Sequence, residues 1–185
     1  MELNKINENF FNKDAEEVAK ALLGRVLVRK FSDKGNERVL KAKIVETEAY
    51  YDEKDPASRA RQNGDLRKTM LNEPGTILVY GVHNNWLINF VTNSKGKAQA
   101  VLLRALEPLN FQENTRGPGL LTKAMFIDKK FHNQNILNSK ELWIESGLNY
   151  KDGLEIIEKF RIGIKKDLPK KLRFYIKNNE YVSKK

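Results

Sequence analysis

The sequence predicts an α+β fold, a mainly antiparallel β-sheet with helices on its flanks. Apolar, strand-like segments come in pairs joined by short polar turns, and a capped amphipathic segment precedes the first pair. The third observation is size, because 185 residues with a hydrophobic fraction of 40% are enough for one core and too few for two. We therefore expect a single domain spanning residues 1–185.

The predicted elements begin with a helix and a hairpin. Asp14 is a typical N-cap, because two acidic residues and an amphipathic stretch follow it, and Gly24 marks the end of the helix. Residues 25–31 and 38–50 are rich in Val, Leu and Ile and flank the turn SDKGN. This pattern predicts two antiparallel strands.

A second hairpin and three later strands complete the predicted sheet. Residues 76–80 and 86–92 flank a polar tip at residues 81–85. The later strands are expected at residues 98–108, 141–147 and 154–164.

Two segments between the strands have turn chemistry. Gly117-Pro118-Gly119 predicts the start of a helix, with Pro118 at its first position and a tight backbone approach at Gly117. Residues 51–67 contain Pro56, Gly64 and many charges, which predicts a loop that is either ordered for function or mobile.

Composition excludes several classes of protein. The apolar runs are far too short to span a bilayer, and the residues after Met1 do not form a secretory signal, so we expect an intracellular protein without a membrane partner. The absence of Cys excludes disulfides, thiolate metal sites and cysteine nucleophiles. Since His83 and His132 are the sole imidazoles, we expect no metal, and we expect no cofactor.

The net charge of +10 is concentrated near the end of the chain. Residues 159–185 hold 10 Lys and Arg against Asp167 and Glu180, which leaves a net charge of +2 for the first 158 residues. Such a basic face favours a polyanionic partner, and nucleic acid before membrane because no amphipathic helix with an aromatic face accompanies it. A solvated, solubilising face explains the same charge equally well.

Two glutamates stand one residue apart in the apolar run KIVETEAY. The period of two in a strand places Ile44, Glu46, Glu48 and Tyr50 on one face. Partial burial would raise the pKa of at least one carboxyl group, as a general base near neutral pH requires. The alternative is an edge strand that uses like charges against aggregation.

Arg104 lies in the apolar run AVLLRALEP, on the face that we assign to Leu102 and Leu106. A buried guanidinium needs an anionic partner, which Glu46 or Glu48 can supply. The result is either a structural ion pair or an arginine that holds a water or a phosphate beside a glutamate.

Four other side chains are placed to contact a ligand. Asn89 is an amide in the apolar run WLINF, so we expect it to have a fixed hydrogen-bonding partner. Tyr50, Tyr80 and His83 lie near turns, where they can form a stacking platform for a nucleic-acid base. A Tyr at the end of a strand is more often a core residue with a solvated hydroxyl group.

The run GPGLLTKAM offers a second chemistry, a helix-hairpin-helix DNA-binding element with Lys123 as a Schiff-base nucleophile. Such a lysine needs a desolvated pocket and an aspartate in a downstream turn rich in Gly and Pro. Asp128, in FIDKK, lacks that context, so the pattern is weak.

Six segments together resemble the alkyladenine (3-methyladenine) DNA glycosylases of the alkylpurine type. They keep the family's order and cover nearly the whole chain, and the combination of IVETEAY with VLLRALEP is the most specific signal. The segments are FF...VAKALLGRVLVR (10–29), KIVETEAY (43–50), EPGTILVYG (73–81), AVLLRALEPL (100–109), RGPGLLTKA (116–124) and RIGI...LRFYI (161–176).

The resemblance implies a curved sheet with a DNA-inserting β-hairpin, which enters the minor groove of double-stranded DNA and flips a damaged purine into a pocket. Glu48 matches the general base that activates a water against C1′ of the sugar. Arg104 matches the arginine that helps to hold this water, and the backbone carbonyl of Ile162 matches a third contact. Tyr50 matches one stacking wall of the pocket, and Asn89 matches the asparagine that disfavours the exocyclic amino group of guanine. We expect a monomer.

Two departures from the family pattern concern the pocket. Arg59 stands where the family usually has a histidine that hydrogen-bonds the flipped base. Because Arg stays charged and cannot accept a hydrogen bond, it should disfavour a cationic base and suit an acceptor such as O6 of hypoxanthine, or else contact a phosphate. The hairpin has one tyrosine where the family usually has two. We place Tyr80 in the pocket, and Val82 or His83 in the gap that the flipped base leaves.

The leading prediction is a monofunctional DNA glycosylase of base excision repair that hydrolyses the N-glycosidic bond with a water activated by Glu48. The expected lesions are 3-methyladenine, 7-methylguanine, hypoxanthine and ethenoadenine. Two alternatives stay open, a bifunctional glycosylase/lyase that uses Lys123 and a non-catalytic DNA-binding protein on the same scaffold.

Overall fold

The computed structural model describes residues 6–147 and 153–184. Within them the strands form one curved sheet in the order β3-β4-β5-β2-β1-β6, with β8 beside β2 and β7 beside β8, and every pair is antiparallel. This confirms the predicted α+β class with helices on the flanks. Residues 1–5, on which the expectation of no secretory signal depends, lie outside the described residues.

The strands and helices have the following bounds. The strands are β1 (Val26–Asp33), β2 (Asn36–Tyr50), β3 (Ile77–Val82), β4 (Asn85–Val91), β5 (Ala100–Pro108), β6 (Leu142–Glu145), β7 (Ile156–Lys159) and β8 (Arg173–Ile176). The helices are α1 (Glu8–Phe11), α2 (Ala15–Leu22), α3 (Asp65–Met70) and α4 (Pro118–Ala124), and short 3-10 helices span Arg59–Arg61 and Lys129–Phe131.

Strand β2 organises the sheet because three strands pair with it. Its first half pairs with β1, and its second half pairs with β5 on one side and with β8 on the other. Glu46 and Glu48 therefore lie in a central part of the sheet, opposite residues of both β5 and β8. The alternative of an edge strand is wrong for this segment.

A bulge changes the alternation of side chains along β2. Ile44 and Glu46 oppose the adjacent residues Leu106 and Ala105 of β5, so Val45 is an extra residue. Ile44 and Val45 both belong to the core, and so does Leu106. Ile44 was predicted to share a face with Glu46 and Glu48, and Leu106 was predicted to share a face with Arg104. Both predictions are wrong, because Ile44 and Leu106 lie in the core on the other face.

A second bulge lies on β5, one pair further along. Glu46 and Thr47 oppose Ala105 and Leu103, so Arg104 is the extra residue. Bulges re-aim side chains at sites where the ladder is interrupted. Here the bulge turns Arg104 toward the face that carries the glutamates.

Helix α2 packs on the opposite face of the sheet. Asp14 caps it by accepting a hydrogen bond from the backbone N–H of Glu16 (3.0 Å), as predicted. The Thr47 hydroxyl donates to the carbonyl of Ala19 in this helix (2.9 Å). The apolar face of α2 and the sheet enclose the main core, which separates this face from the polar one.

The turn of the second hairpin is tighter than predicted, and the late strands are shorter. The hairpin turns through two residues, His83 and Asn84, whose φ angles of 46° and 60° are typical of a type I′ turn. The tip therefore does not span residues 81–85. Strands β6 and β7 occupy only parts of the predicted ranges 141–147 and 154–164.

Helix α4 starts at Pro118 as predicted, but the tight approach is at a different glycine. The nearest side-chain atom to a Cβ at Gly117 would lie at an ordinary 3.6 Å. A Cβ at Gly119 would lie 2.6 Å from the Cβ of Asn85, so Gly119 lets α4 approach β4. Within the described residues, no helix has the length and apolar character to cross a membrane.

Candidate active site

Glu48 is fully buried at the centre of the polar face, and three donors hold its carboxylate. The Tyr50 hydroxyl (2.8 Å) and Arg104 Nη1 (3.3 Å) donate to Oε2, and the backbone N–H of Ile162 (2.8 Å) donates to Oε1. The structure thus brings together four of the predicted residues. Ile162 contacts Glu48 through its N–H group, and the predicted role of its carbonyl stays a prediction.

The surroundings of Glu48 raise its pKa. Burial raises the pKa, and the charge of Arg104 and the hydrogen bonds from Ile162 and Tyr50 only partly offset it. A carboxylate offers about four acceptor positions, so one is open in the sense that none of the three donors occupies it. A carboxylate with a raised pKa and an open acceptor position has the properties of a general base.

Glu46 is also fully buried, but its partners differ. Arg173 Nη1 donates to Oε1 (2.8 Å), and the backbone N–H of Ser183 donates to Oε2 (2.7 Å). Arg104 Nε lies 3.6 Å from Oε1, an ion-pair distance. Both predicted partners of Arg104 are therefore present, and Glu46 anchors the end of the chain as well.

Sequence reasoning did not single out Arg173. It lies in the apolar run LRFYI, so the argument that gave Arg104 an anionic partner applies to it equally. A charged residue inside an apolar strand was the available signal.

Tyr50 contacts Glu48 through its hydroxyl group, and its ring lines the neighbouring pocket that is described below. Its hydroxyl donates to Glu48, and the guanidinium carbon of Arg161 lies 4.5 Å from the centroid of its ring. Burial and the neighbouring Glu48 raise the pKa of Tyr50 well above its usual range, so the hydroxyl stays protonated as a donor. One face of the ring is thus covered by a fixed cation.

Arg161 is a second residue that sequence reasoning missed. Its side chain is fully buried and donates to both oxygens of Asp55 (2.7 Å each) and to the carbonyl of Ala49 (3.0 Å), and it also bonds to Asp167. Burial would raise the pKa of Asp55, but the hydrogen bonds from Arg161 and two backbone N–H groups lower it. This bidentate pair fixes residues 51–58 against the segment that carries Ile162.

The predicted pocket residues meet beside Tyr50. The lining residues are Tyr50, Arg59, Met70, Leu78, Tyr80, Asn89 and Ala100, and the free volume among them is ≈ 10 Å³. Asn89 Nδ2 donates to the carbonyl of Leu78 (3.2 Å), which confirms the expected fixed partner. The guanidinium carbon of Arg59 lies 4.7 Å from the centroid of the Tyr80 ring.

The hairpin tip lies next to the pocket and does not line it. Val82 ends β3 on the face of Tyr80, two residues away, and is half-buried, whereas His83 is exposed in the turn. Insertion of either residue into DNA stays a prediction.

Lys123 is exposed on α4 and is not among the residues that line the pocket. The desolvated environment that a Schiff-base lysine needs is therefore not found around it. Among the described residues, no group of three or more His, Cys, Asp and Glu side chains is placed to hold a metal ion.

Comparison with known proteins identifies the class to which this fold and site belong. The family model described as methylpurine-DNA glycosylase matches residues 9–180. The chain belongs to this family. DNA glycosylases are hydrolases that cleave N-glycosidic bonds, so the match confirms the predicted family and enzyme class and implies DNA as the partner.

Relatives from distant organisms match over nearly their whole length. The chain is 37% identical over 182 residues to a protein of Aeropyrum pernix (96% of this chain, 92% of the relative). It is 40% identical over 190 residues to one of Legionella pneumophila strain Lens and 35% identical over 210 residues to one of Clostridium perfringens strain SM101 (98% of this chain and 100% of the relative in each case). All three carry the name "Putative 3-methyladenine DNA glycosylase".

Proposed function

We propose that this protein is a monofunctional glycosylase of base excision repair that flips a damaged purine out of double-stranded DNA and hydrolyses its N-glycosidic bond. The proposed substrates are alkylated or deaminated purines: 3-methyladenine, 7-methylguanine, hypoxanthine and ethenoadenine. The name shared by the relatives supports the first of these. We further propose a single domain that acts as a monomer without a cofactor.

The observation that carries the proposal is the state of Glu48. It is a buried carboxylate with a raised pKa, and one of its three donors is the hydroxyl of Tyr50, which also lines the pocket. In the proposed reaction, a water bound at the open position attacks C1′ while the N-glycosidic bond breaks. The bonding electrons leave with the purine, and Glu48 takes the proton of the water.

Arg104 and Ile162 support this step from two sides. The charge of Arg104 lowers the pKa of Glu48 and so opposes the effect of burial, and the carbonyl of Ile162 is proposed as a further contact of the water. The carboxylate also stabilises the oxocarbenium character of the sugar as the base departs. Alkylation at N3 or N7 makes the purine cationic, which weakens the bond to the sugar.

Binding is proposed to use the pocket, the hairpin and the basic segment together. Tyr50 and Tyr80 would stack on the flipped purine, and Val82 or His83 would fill the gap in the duplex. Exposed Lys165 and Lys166 follow closely after Ile162 and are placed to contact phosphates near the sugar. Flipping costs a few kcal/mol (roughly), which these contacts offset.

The test is Glu48→Gln, assayed by single-turnover release of the base from duplexes that each contain one of the four lesions. We expect release to fall by at least about a hundredfold, the usual contribution of a general base, while affinity for the same duplexes is retained. Glu37→Gln is the matched control, since Glu37 lies on the same strand and is exposed. Release by Glu48→Gln at the rate of the control would remove Glu48 from the mechanism.

The same assay separates the two alternatives. Borohydride trapping of a covalent protein–DNA adduct that Lys123→Ala abolishes would establish the lyase and overturn the water mechanism. Binding of all four duplexes without release of any base by the native protein would establish a non-catalytic DNA-binding protein.

A further inference from the structure

We propose that Arg59 is an internal, displaceable occupant of the purine pocket, and that it makes the enzyme prefer neutral purines that bear a hydrogen-bond acceptor over cationic alkylated purines. This inference rests on the proposed function, because it assigns a substrate class to the same pocket. From the sequence, Arg59 was expected to contact either the flipped base or a phosphate. The structure gives its side chain a defined position, over the ring of Tyr80.

Arg59 occupies the place of a base. Its planar guanidinium lies over the ring of Tyr80, with 4.7 Å between the guanidinium carbon and the ring centroid. A cation over an electron-rich ring takes the position in which a cationic alkylpurine would stack. The free volume of the pocket is ≈ 10 Å³, which is about the room for one water. A purine therefore cannot enter until a lining side chain moves, and Arg59 is the one that lies over the stacking ring.

The backbone around Arg59 is anchored, so the side chain is the part that can move. Ser58 accepts a hydrogen bond from the backbone N–H of Ala60 (3.0 Å) and donates to the carbonyl of Tyr51, and Ala60 is fully buried. Asp55, a few residues earlier, is bound by Arg161 through both oxygens. Rotation about the Arg59 side-chain bonds opens the pocket without loss of these contacts.

The displaced side chain stays close to the bound purine and stays charged. Within residues 6–147 and 153–184, Arg59 forms no ion pair with a carboxylate, so its positive charge is not neutralised in the pocket. A cationic base beside it is repelled. A neutral base such as hypoxanthine instead offers O6 as an acceptor to the guanidinium, which carries only donors and hydrogen-bonds with the Tyr80 side chain while it occupies the pocket.

The experiment compares single-turnover excision of hypoxanthine and of 7-methylguanine from duplexes of the same sequence. We expect Arg59→Gln, which keeps much of the length and removes the charge, to shift the ratio of the two rates toward 7-methylguanine by about tenfold or more. Arg59→Lys keeps the charge and should keep the native ratio. Arg61→Gln is the matched control, because Arg61 is exposed in the same 3-10 helix. An unchanged ratio in Arg59→Gln would overturn the proposal.

A binding assay separates failure of this inference from failure of the proposed function. If the native protein releases neither base, the proposed function fails. The effect of Arg59 on purine preference is then tested by the affinities for the same two duplexes. The expected result is a loss of preference for hypoxanthine in Arg59→Gln that Arg59→Lys does not show. An equal loss of affinity for both duplexes, with a smaller salt dependence, would assign Arg59 to a phosphate and overturn the inference.

Discussion

The proposed hydrolytic centre around Glu48 and the proposed purine pocket around Tyr80 share Tyr50, yet they are organised differently. In the centre, Glu48 is bound by three donors and Glu46 by Arg173, Arg104 and a backbone N–H group. In the pocket, Arg59 lies on an aromatic ring and the free volume is ≈ 10 Å³. The side chains of the centre are thus already held for the proposed reaction, whereas the proposed pocket must rearrange to admit a purine.

This difference indicates where the chain is constrained and where it can vary. Two of the three donors on Glu48 come from residues 56 and 114 positions away, so the arrangement around Glu48 depends on the packing of distant parts of the chain. Arg59 contributes one half-buried side chain from an anchored 3-10 helix, so we expect a substitution there to change the pocket and not the centre. On our proposal, substrate choice can therefore change without loss of the chemistry.

The largest effect is expected from Arg161→Ala, which removes the link between the two regions. The variant leaves the buried carboxylate of Asp55 without its cation, and loss of one partner of a buried pair typically costs about 3–5 kcal/mol. The free energy of unfolding, measured by denaturant titration, should fall by about this amount. Addition of Asp55→Asn should restore part of the loss, because the uncompensated charge is then removed. Equal stability of the native protein and Arg161→Ala would contradict this role.

Glu46→Gln is expected to have the next largest effect, confined to the hydrolytic centre. It weakens charged hydrogen bonds from Arg173 and Ser183, each worth about 1.5–3 kcal/mol, and it frees Arg104 from one of its two carboxylates. We expect lower stability and slower release of every lesion by a similar factor. Excision rates for hypoxanthine and 7-methylguanine check this, since a changed ratio would mean that the two regions are not separable.

The sequence predicted most members of the proposed hydrolytic centre, but it missed Arg173 and gave no sign of the geometry. The period of two placed Glu46, Glu48 and Tyr50 on one face, and burial of a charge required a partner for Arg104. The bulges at Val45 and Arg104 were not predictable, because they depend on the register between two strands that are far apart in the sequence. The local pattern gives no sign of such a register shift.

The pocket shows a similar limit. The residue type at Arg59 was visible as a departure from the family pattern, but its position over Tyr80 depends on how residues 51–58 pack. That packing depends on the pair of Arg161 with Asp55, whose members are 106 residues apart. Long-range ion pairs of this kind have no periodicity to reveal them.

Tyr50→Phe changes the residue that both regions share. We expect it to slow base release less than Glu46→Gln does. Loss of the hydroxyl removes one hydrogen bond to a charged group, worth about 1.5–3 kcal/mol, where Glu46→Gln weakens two, so release at neutral pH should fall by a factor of about 10 to 100. The hydrogen bond from Tyr50 lowers the pKa of Glu48, so its loss should raise that pKa further.

The pH dependence of base release tests whether Tyr50→Phe raises the pKa of Glu48. The base acts as a carboxylate, so the rate falls as the pH drops through the pKa of Glu48. Burial places this acid limb above the ordinary glutamate pKa of about 4.3. Tyr50→Phe should move the limb to higher pH, and a shift to lower pH would show that the hydroxyl does not stabilise the carboxylate.

The smallest effect is expected from Lys165→Gln and Lys166→Gln. Each should weaken DNA binding without changing the relative rates for the different lesions. Each exposed lysine that contacts a phosphate contributes about one unit to the slope of log affinity against log salt concentration, so each substitution should reduce the slope by about 1. Binding should weaken by the same factor for every lesion, because a phosphate contact carries no information about the base. Lys140→Gln, an exposed lysine in another loop, is the matched control. An altered lesion ratio in Lys165→Gln or Lys166→Gln would place that lysine at the base and not at the backbone.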